Sequence, residues 1–157
     1  MKILVTGGAG FIGHHLAAAL LENNCQVNVL DIKQVSDEKV KHLVKLGGKY
    51  FHGDITNYSD IAEAGNGCTH IVHLAAQTSV PESIQNPQLN NQVNIEGTKN
   101  VIRFANENNI EKLVFSSSAA IYGDCGLNPI KEEYRGAIQS PYAVSKLQSE
   151  QDLLELL

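Results

Sequence analysis

Cysteine is scarce and badly spaced for metal. The three cysteines of this 157-residue chain, Cys25, Cys68 and Cys125, lie far apart, and no CxxC or Cys/His ligand spacing occurs. That argues against a zinc site, and an odd, scattered set of thiols fits a reduced, cytoplasmic protein. Clusters of Lys and Arg are also missing, and the formal net charge is −5. Nucleic acid is therefore not an expected partner, because neutralising a phosphate backbone takes gathered cations. A small phosphate-bearing ligand remains open, since backbone N–H groups can hold one without side-chain charge. No apolar run reaches the roughly 18 residues that a membrane helix needs. The opening MKILVTGG lacks the apolar stretch of a secretion signal, so neither membrane nor secretion is expected.

What the chain does have is a core and a rhythm. Hydrophobic residues make up 43% and charged residues 18%, the balance of a globular domain, and the length suits one domain. A short apolar run at Ile3 to Val5 reads as a strand buried on both faces, and Val27 to Leu30, Tyr50 to His52, His70 to Leu74 and Leu113 to Phe115 read as further strands. Between them lie helical spacings at Phe11 to Glu22, Asp37 to Leu46 and Ser59 to Ala64. A long one covers Asn86 to Glu107, and a last one runs from Pro141 to Leu157. The expected fold class is α/β, a Rossmann-type doubly wound parallel sheet of about five strands. The one long irregular stretch is Gly123 to Ser140, and long loops in compact domains are often functional.

The first strand runs into Thr6-Gly7-Gly8-Ala9-Gly10-Phe11-Ile12-Gly13, with Gly7, Gly10 and Gly13 spaced G-x-x-G-x-x-G. In such a turn one glycine permits the reversal, one lets the backbone approach a pyrophosphate, and one lets helix and strand pack closely. Phosphate then sits at the helix N-terminus, where free N–H groups and the helix dipole favour negative charge. Asp31 follows Gly13 by 18 residues at the end of the second strand. A carboxylate there accepts hydrogen bonds from ribose hydroxyls and repels a 2′-phosphate, which selects NAD over NADP. Lys33 stands close by and pulls the other way.

A second group lies further along. Ser116, Ser117 and Ser118 place hydroxyls at the end of the fifth strand, the edge at which open α/β sheets bind ligands. Tyr142 and Lys146 are spaced i, i+4 on the last helix and share one face. An ammonium beside a phenol favours its ionised form, so this tyrosine can take a proton from an alcohol while hydride leaves to NAD. Ser118 would bond the same oxygen. His14 and His15 fall near the phosphates without a metal partner, and His73 reads as a structural histidine. Asp60, Glu63, Glu132 and Glu133 read as solvated charges.

TGGAGFIG, Asp31, Gly53-Asp54-Ile55, His73-Leu74-Ala75-Ala76, FSSSAAIYG and SPYAVSK together resemble the extended short-chain dehydrogenase/reductase family, nucleotide-sugar epimerase type. The resemblance covers nearly the whole chain. It implies catalytic roles for Ser118, Tyr142 and Lys146. It also implies a cofactor site that takes in Phe11, Ile12 and Ser116, with Asp54 and Ile55 at the adenine, Leu74, Ala75 and Ala76 along the cleft, and Asn94 near the active site. Dehydratases of this type carry an acid where this chain has Ala119 and Ala120, so the resemblance favours an epimerase that oxidises C4 of a UDP-linked sugar and returns the hydride. Other redox enzymes of the same architecture, and a non-catalytic NAD-binding module, are the alternatives.

The same resemblance implies a sixth strand and a C-terminal substrate domain that this sequence lacks, and a chain ending in or just after the Tyr/Lys helix. A fragment of this kind is expected to hold NAD weakly and turn sugar over poorly. A homodimer is implied, with Val93, Val101 and Leu153 to Leu157 as interface candidates alongside a plain core reading.

Overall fold

The computed structural model describes residues 1–126, 129–134 and 136–155. Five strands alternate with helices: β1 (Lys2–Thr6), α1 (Phe11–Glu22), β2 (Gln26–Asp31), α2 (Glu38–Lys45), β3 (Lys49–His52), α3 (Tyr58–Gly65) and β4 (His70–His73). Then come α4 (Val80–Gln85), α5 (Pro87–Asn91), a π-helical turn (Gln92–Glu96), α6 (Gly97–Glu107), β5 (Lys112–Phe115), a 3₁₀ turn (Ala119–Tyr122) and α7 (Pro141–Leu154). The strands form one sheet in the order β3-β2-β1-β4-β5, parallel throughout. This is the expected Rossmann-type topology, in which the chain reverses direction of travel between β1 and β4.

The described residues group into two compact units, Met1–Ala76 with Asn100–Ser116, and Gln77–Lys99 with Ser117 onward. The sheet belongs to the first. Alternate residues of β1 and β2 go to opposite faces. Ile3, Val5, Val27 and Val29 pack with Ala17 of α1 and Leu43 of α2. On the other face Leu4 and Leu30 are fully covered. There Asn28 Nδ2 donates to the Ala64 carbonyl at the end of α3, and Gly65 leaves no room for a Cβ against the Phe104 ring of α6. The central strands β1 and β2 are covered on both sides and mostly apolar along their length, whereas the edge strands β3 and β5 are partly exposed.

In the second unit α4, α5, the π turn and the 3₁₀ turn pack around α7. Two features here differ from expectation. The helix α4 was missed, although Ser79-Val80-Pro81-Glu82 carries a start signal, with Ser79 Oγ accepting from the Glu82 amide at 3.3 Å and proline in the first turn. The long pattern from Asn86 to Glu107 is helical throughout, but it passes through the π turn between α5 and α6. Apolar spacing reports the face a helix buries, and one inserted residue barely disturbs it. Val101, an interface candidate, is fully buried in the first unit's core. Val93 and Leu153 are half-buried, while Leu156 and Leu157 lie outside the described residues.

Candidate active site

The first unit brings the glycine turn, Asp31, the 53–55 segment and Leu74–Ala76 to the C-terminal edge of its sheet. Thr6 ends β1 and organises the turn. Its Oγ1 accepts from the Leu74 and Ala75 amides, each at 3.3 Å, and lies 2.6 Å from His73 Nδ1. His73 is thus a buried structural histidine, as expected. Gly7 adopts φ +69°, and a Cβ there would meet the Ala75 nitrogen at 2.7 Å. At Gly13 a Cβ would stand 2.2 Å from the Gly7 carbonyl oxygen, so only glycine lets α1 approach the turn.

The start of α1 is unusual in this molecule. The helices α2, α3, α4, α5 and α7 are each capped by a side chain, from Asp37, Asn57, Ser79, Asn86 and Ser140 respectively. At α1 the cap is Gly10, with no side-chain cap bond and no acid in the first turn. Phe11 and Ile12 there are 76% and 62% exposed. The first amides of α1 therefore keep their positive end free for an anion.

Asp31 is half-buried at the end of β2. Its Oδ2 accepts from the Ala9 amide at 2.9 Å and its Oδ1 from the Lys33 amide at 3.1 Å. Each carboxylate oxygen keeps further accepting capacity, as binding a ribose diol requires. Lys33 itself is engaged, its Nζ 3.6 Å from Asp37 Oδ2. Asp54 Oδ1 accepts from the Thr56 amide at 2.8 Å, and Ile55 is buried beneath with its carbonyl accepting from Asn100. Asp60, expected to be a solvated charge, is instead a brace: Oδ2 accepts from the Asp54 amide at 2.8 Å and Oδ1 from Asn57 Nδ2 at 2.9 Å. Ser116 continues β5, its amide donating to the His73 carbonyl. His14 Nε2 lies 2.9 Å from His42 Nδ1. Burial, followed by the neighbouring His42, lowers the His14 pKa.

The second unit carries Ser118, Tyr142, Lys146 and Asn94. Ser118 caps the 3₁₀ turn, its Oγ accepting from the Ala120 amide at 3.2 Å, and that turn packs against α7. Its hydroxyl proton is thereby left to donate elsewhere. The neighbouring Ser117 Oγ is buried without a hydrogen-bond partner. Tyr142 and Lys146, one turn apart on α7, are 9% and 4% exposed. Burial brings the Lys146 ammonium down to about 8, with Glu150 opposing the shift.

Asn94, which the resemblance places near the active site, anchors α7 through hydrogen bonds. It lies in the π turn and is 2% exposed. Its Oδ1 accepts from the Gln77 amide at 2.8 Å, while its Nδ2 lies 3.0 Å from the Gln77 carbonyl, 3.0 Å from Asn90 Oδ1 and 3.1 Å from Ser145 Oγ. Thr98 and Ser149 hydroxyls both donate to the Asn94 carbonyl, at 2.6 and 2.8 Å. Ser83 Oγ receives the Tyr142 amide at 3.2 Å. Apart from the resemblance at Asn94, the signal for this network is a polar stripe at i, i+4 spacing: Asn90, Asn94 and Thr98 facing Ser145 and Ser149. Among the described residues no group of three His, Cys, Asp or Glu is placed to hold a metal, and no helix is long and apolar enough to cross a membrane.

A glycine-led, uncapped helix start beside an acid at the end of β2 marks a dinucleotide-binding α/β domain, here one that also carries a buried Tyr/Lys pair. The chain belongs to the NAD dependent epimerase/dehydratase family, whose model matches residues 3–156. NAD is accordingly its cofactor. It is 36% identical to the UDP-glucose 4-epimerase of Yersinia enterocolitica over 98% of this chain and 48% of that protein. The Thermus thermophilus UDP-glucose 4-epimerase, solved in complex with NAD, matches with a TM-score of 0.89 at 36% identity, over 99% of this chain and 50% of that one. The UDP-Glc/GlcNAc 4-epimerase of Campylobacter jejuni matches with a TM-score of 0.90 at 32% identity, over 99% and 48%. The chain thus spans about half the length of the relatives it matches.

Proposed function

We propose that this chain is the NAD-holding and acid–base part of a nucleotide-sugar 4-epimerase acting on a UDP-linked hexose in the cytoplasm. The observation that carries this reading is the placing of buried Tyr142 and Lys146 one turn apart on α7, in a chain whose α1 begins without a cap.

The residues fit the cofactor. Free amides at the start of α1 take the pyrophosphate, and the open lone pairs of Asp31 take the adenosine ribose. Asp54 and Ile55 border the adenine, and Leu74, Ala75 and Ala76 line the cofactor's path with Phe11, Ile12 and Ser116. Bound NAD supplies the hydride acceptor and later the hydride donor. Tyr142 removes the proton from the sugar 4-hydroxyl and gives it back after the ring has turned. Lys146, one turn along α7 from Tyr142, keeps its positive charge at neutral pH, since its group titrates near 8. Ser118, with its proton free, donates to the reacting oxygen. Asn94 acts through the segments it ties together, its side chain being taken up by protein partners. Ala119 and Ala120 offer no acid for elimination chemistry, which favours epimerisation over dehydration.

Pairing of two copies belongs to the same proposal, with Leu154, 66% exposed at the end of α7, as a contact; sedimentation of the parent and Leu154→Glu chains checks it. The central test is calorimetry of the purified chain with NAD, followed by C4 inversion of UDP-glucose watched by NMR. The expected result is weak, saturable binding that Asp31→Ala weakens at least about tenfold, with slow inversion in the parent that is lost in Tyr142→Phe. Absence of NAD binding by a folded sample would overturn the reading.

A further inference from the structure

The segment that follows β2 is held from outside by the edge strand β3, and the residue that holds it is not one of the cofactor-site residues considered so far. Tyr50 Oη donates to the carbonyl of Asp31 at 2.9 Å and also to the carbonyl of Lys33. One phenolic proton is shared between two carbonyls two residues apart, which fixes the backbone on both sides of Ile32. The Gly53 amide donates to the same Asp31 carbonyl at 3.1 Å. His52, on the same face of β3 as Tyr50, sits with Nε2 at 3.1 Å from the Ile32 carbonyl and 3.2 Å from Gln34 Nε2. Ile32 is 66% exposed, so the bend is not set by burial of its side chain.

The bend matters because Asp31 is gripped by the same few residues. Its Oδ1 takes the Lys33 amide, whose peptide lies between the two peptides that Tyr50 holds through the Asp31 and Lys33 carbonyls. Its Oδ2 takes the Ala9 amide from the glycine turn. Loosening the bend at Lys33 frees one carboxylate oxygen and lets the side chain swing about the other. The Tyr50 ring packs on the core beneath α1 and α2, so the hydroxyl is delivered from a fixed base. Burial, then the Asp31 charge, pushes the phenol up to about 12, which keeps it a donor across the working pH range.

We infer that Tyr50 is a positioning residue for adenosine-ribose recognition, setting the Asp31 carboxylate and thereby the preference of this chain for a free 2′-hydroxyl. This rests on the NAD reading given above.

The test compares parent and Tyr50→Phe chains by calorimetry with NAD, with an NAD analogue lacking the adenosine 2′-hydroxyl, and with NADP. The ring is retained, so the core stays filled. A shared hydrogen bond of ordinary strength is worth about three- to tenfold in affinity. The expected result is NAD binding weakened by about that factor, with the parent's preference for NAD over the 2′-deoxy analogue largely lost. That preference is a ratio within one sample, so a lowered folded fraction does not change it. A purely structural role would lower Tm and leave the ratio as in the parent, and this outcome overturns the inference while leaving the NAD reading intact. A folded parent that binds no NAD overturns both.

Discussion

The Asp31 carboxylate accepts from the Ala9 amide at 2.9 Å, so the acid at the end of β2 and the glycine turn after β1 are one hydrogen-bonded structure. An adenosine ribose and a pyrophosphate would therefore meet groups already set relative to each other. Pre-organisation of this kind spares the ordering cost that otherwise weakens binding.

Asp31→Asn tests this link. It preserves shape, but one end of the amide is a donor and would face either the Ala9 or the Lys33 N–H. NAD affinity falls at least about tenfold, read by calorimetry, from lost charge and a donor–donor clash together.

Lys33 is drawn to Asp37 rather than left open to a 2′-phosphate. Asp37→Asn retains a residue type that caps α2 well but removes the charge. NADP affinity rises by up to about fivefold at low salt and returns toward the parent value at high salt, as an exposed pair predicts. Calorimetry at two ionic strengths reads it.

Gly13 has backbone on two sides of its missing Cβ, the Gly7 oxygen at 2.2 Å and the Gly8 Cα at 2.6 Å. Gly13→Ala cannot be relieved by a rotamer change. Urea unfolding should show a loss of about 3 kcal/mol or more, and NAD binding should be lost with it.

Lys146 titrates near 8 in the fold and near 10.4 in the unfolded chain. Below pH 8 both states hold the proton and the fold carries the whole penalty of a buried charge. Between these values the unfolded chain binds more protons, so stability rises with pH. Lys146→Met should be the more stable chain at pH 7, by on the order of 2 kcal/mol, with the gap closing toward pH 10.5. Turnover in the parent should fall above pH 8 as the ammonium is lost, and should be absent from the variant. Thermal melts and rates across pH 6–10.5 test both halves.

Asn94 ties the 77 segment to α7 through Ser145. Asn94→Asp takes away the NH₂ donor and buries a charge among acceptors. A loss of about 3 kcal/mol is expected by denaturant unfolding.

Much was readable from the chain alone because it depends on neighbours in sequence. Strand runs of three to five apolar residues, the glycine spacing from Gly7 to Gly13, the acid at 31 and the one-turn spacing of Tyr142 and Lys146 are local patterns. Backbone geometry converts them directly into strands, a tight turn and a shared helix face. The five-strand parallel sheet followed from their alternation. The resemblance of the motifs pointed to the family that the comparison then established.

The tertiary structure alone decided which polar groups would be partners. Asp60 is a solvated charge by sequence and a brace under Asp54 in the fold. Val101 is an interface candidate by resemblance and a core residue on the plain reading, and the fold buries it in the core. The role of Tyr50 depends on β3 lying beside β2, and the Asn94 network on α7 lying against the π turn. Hydrogen bonds and burial are set by contacts between residues far apart in sequence, and a local pattern cannot say which distant element supplies the partner.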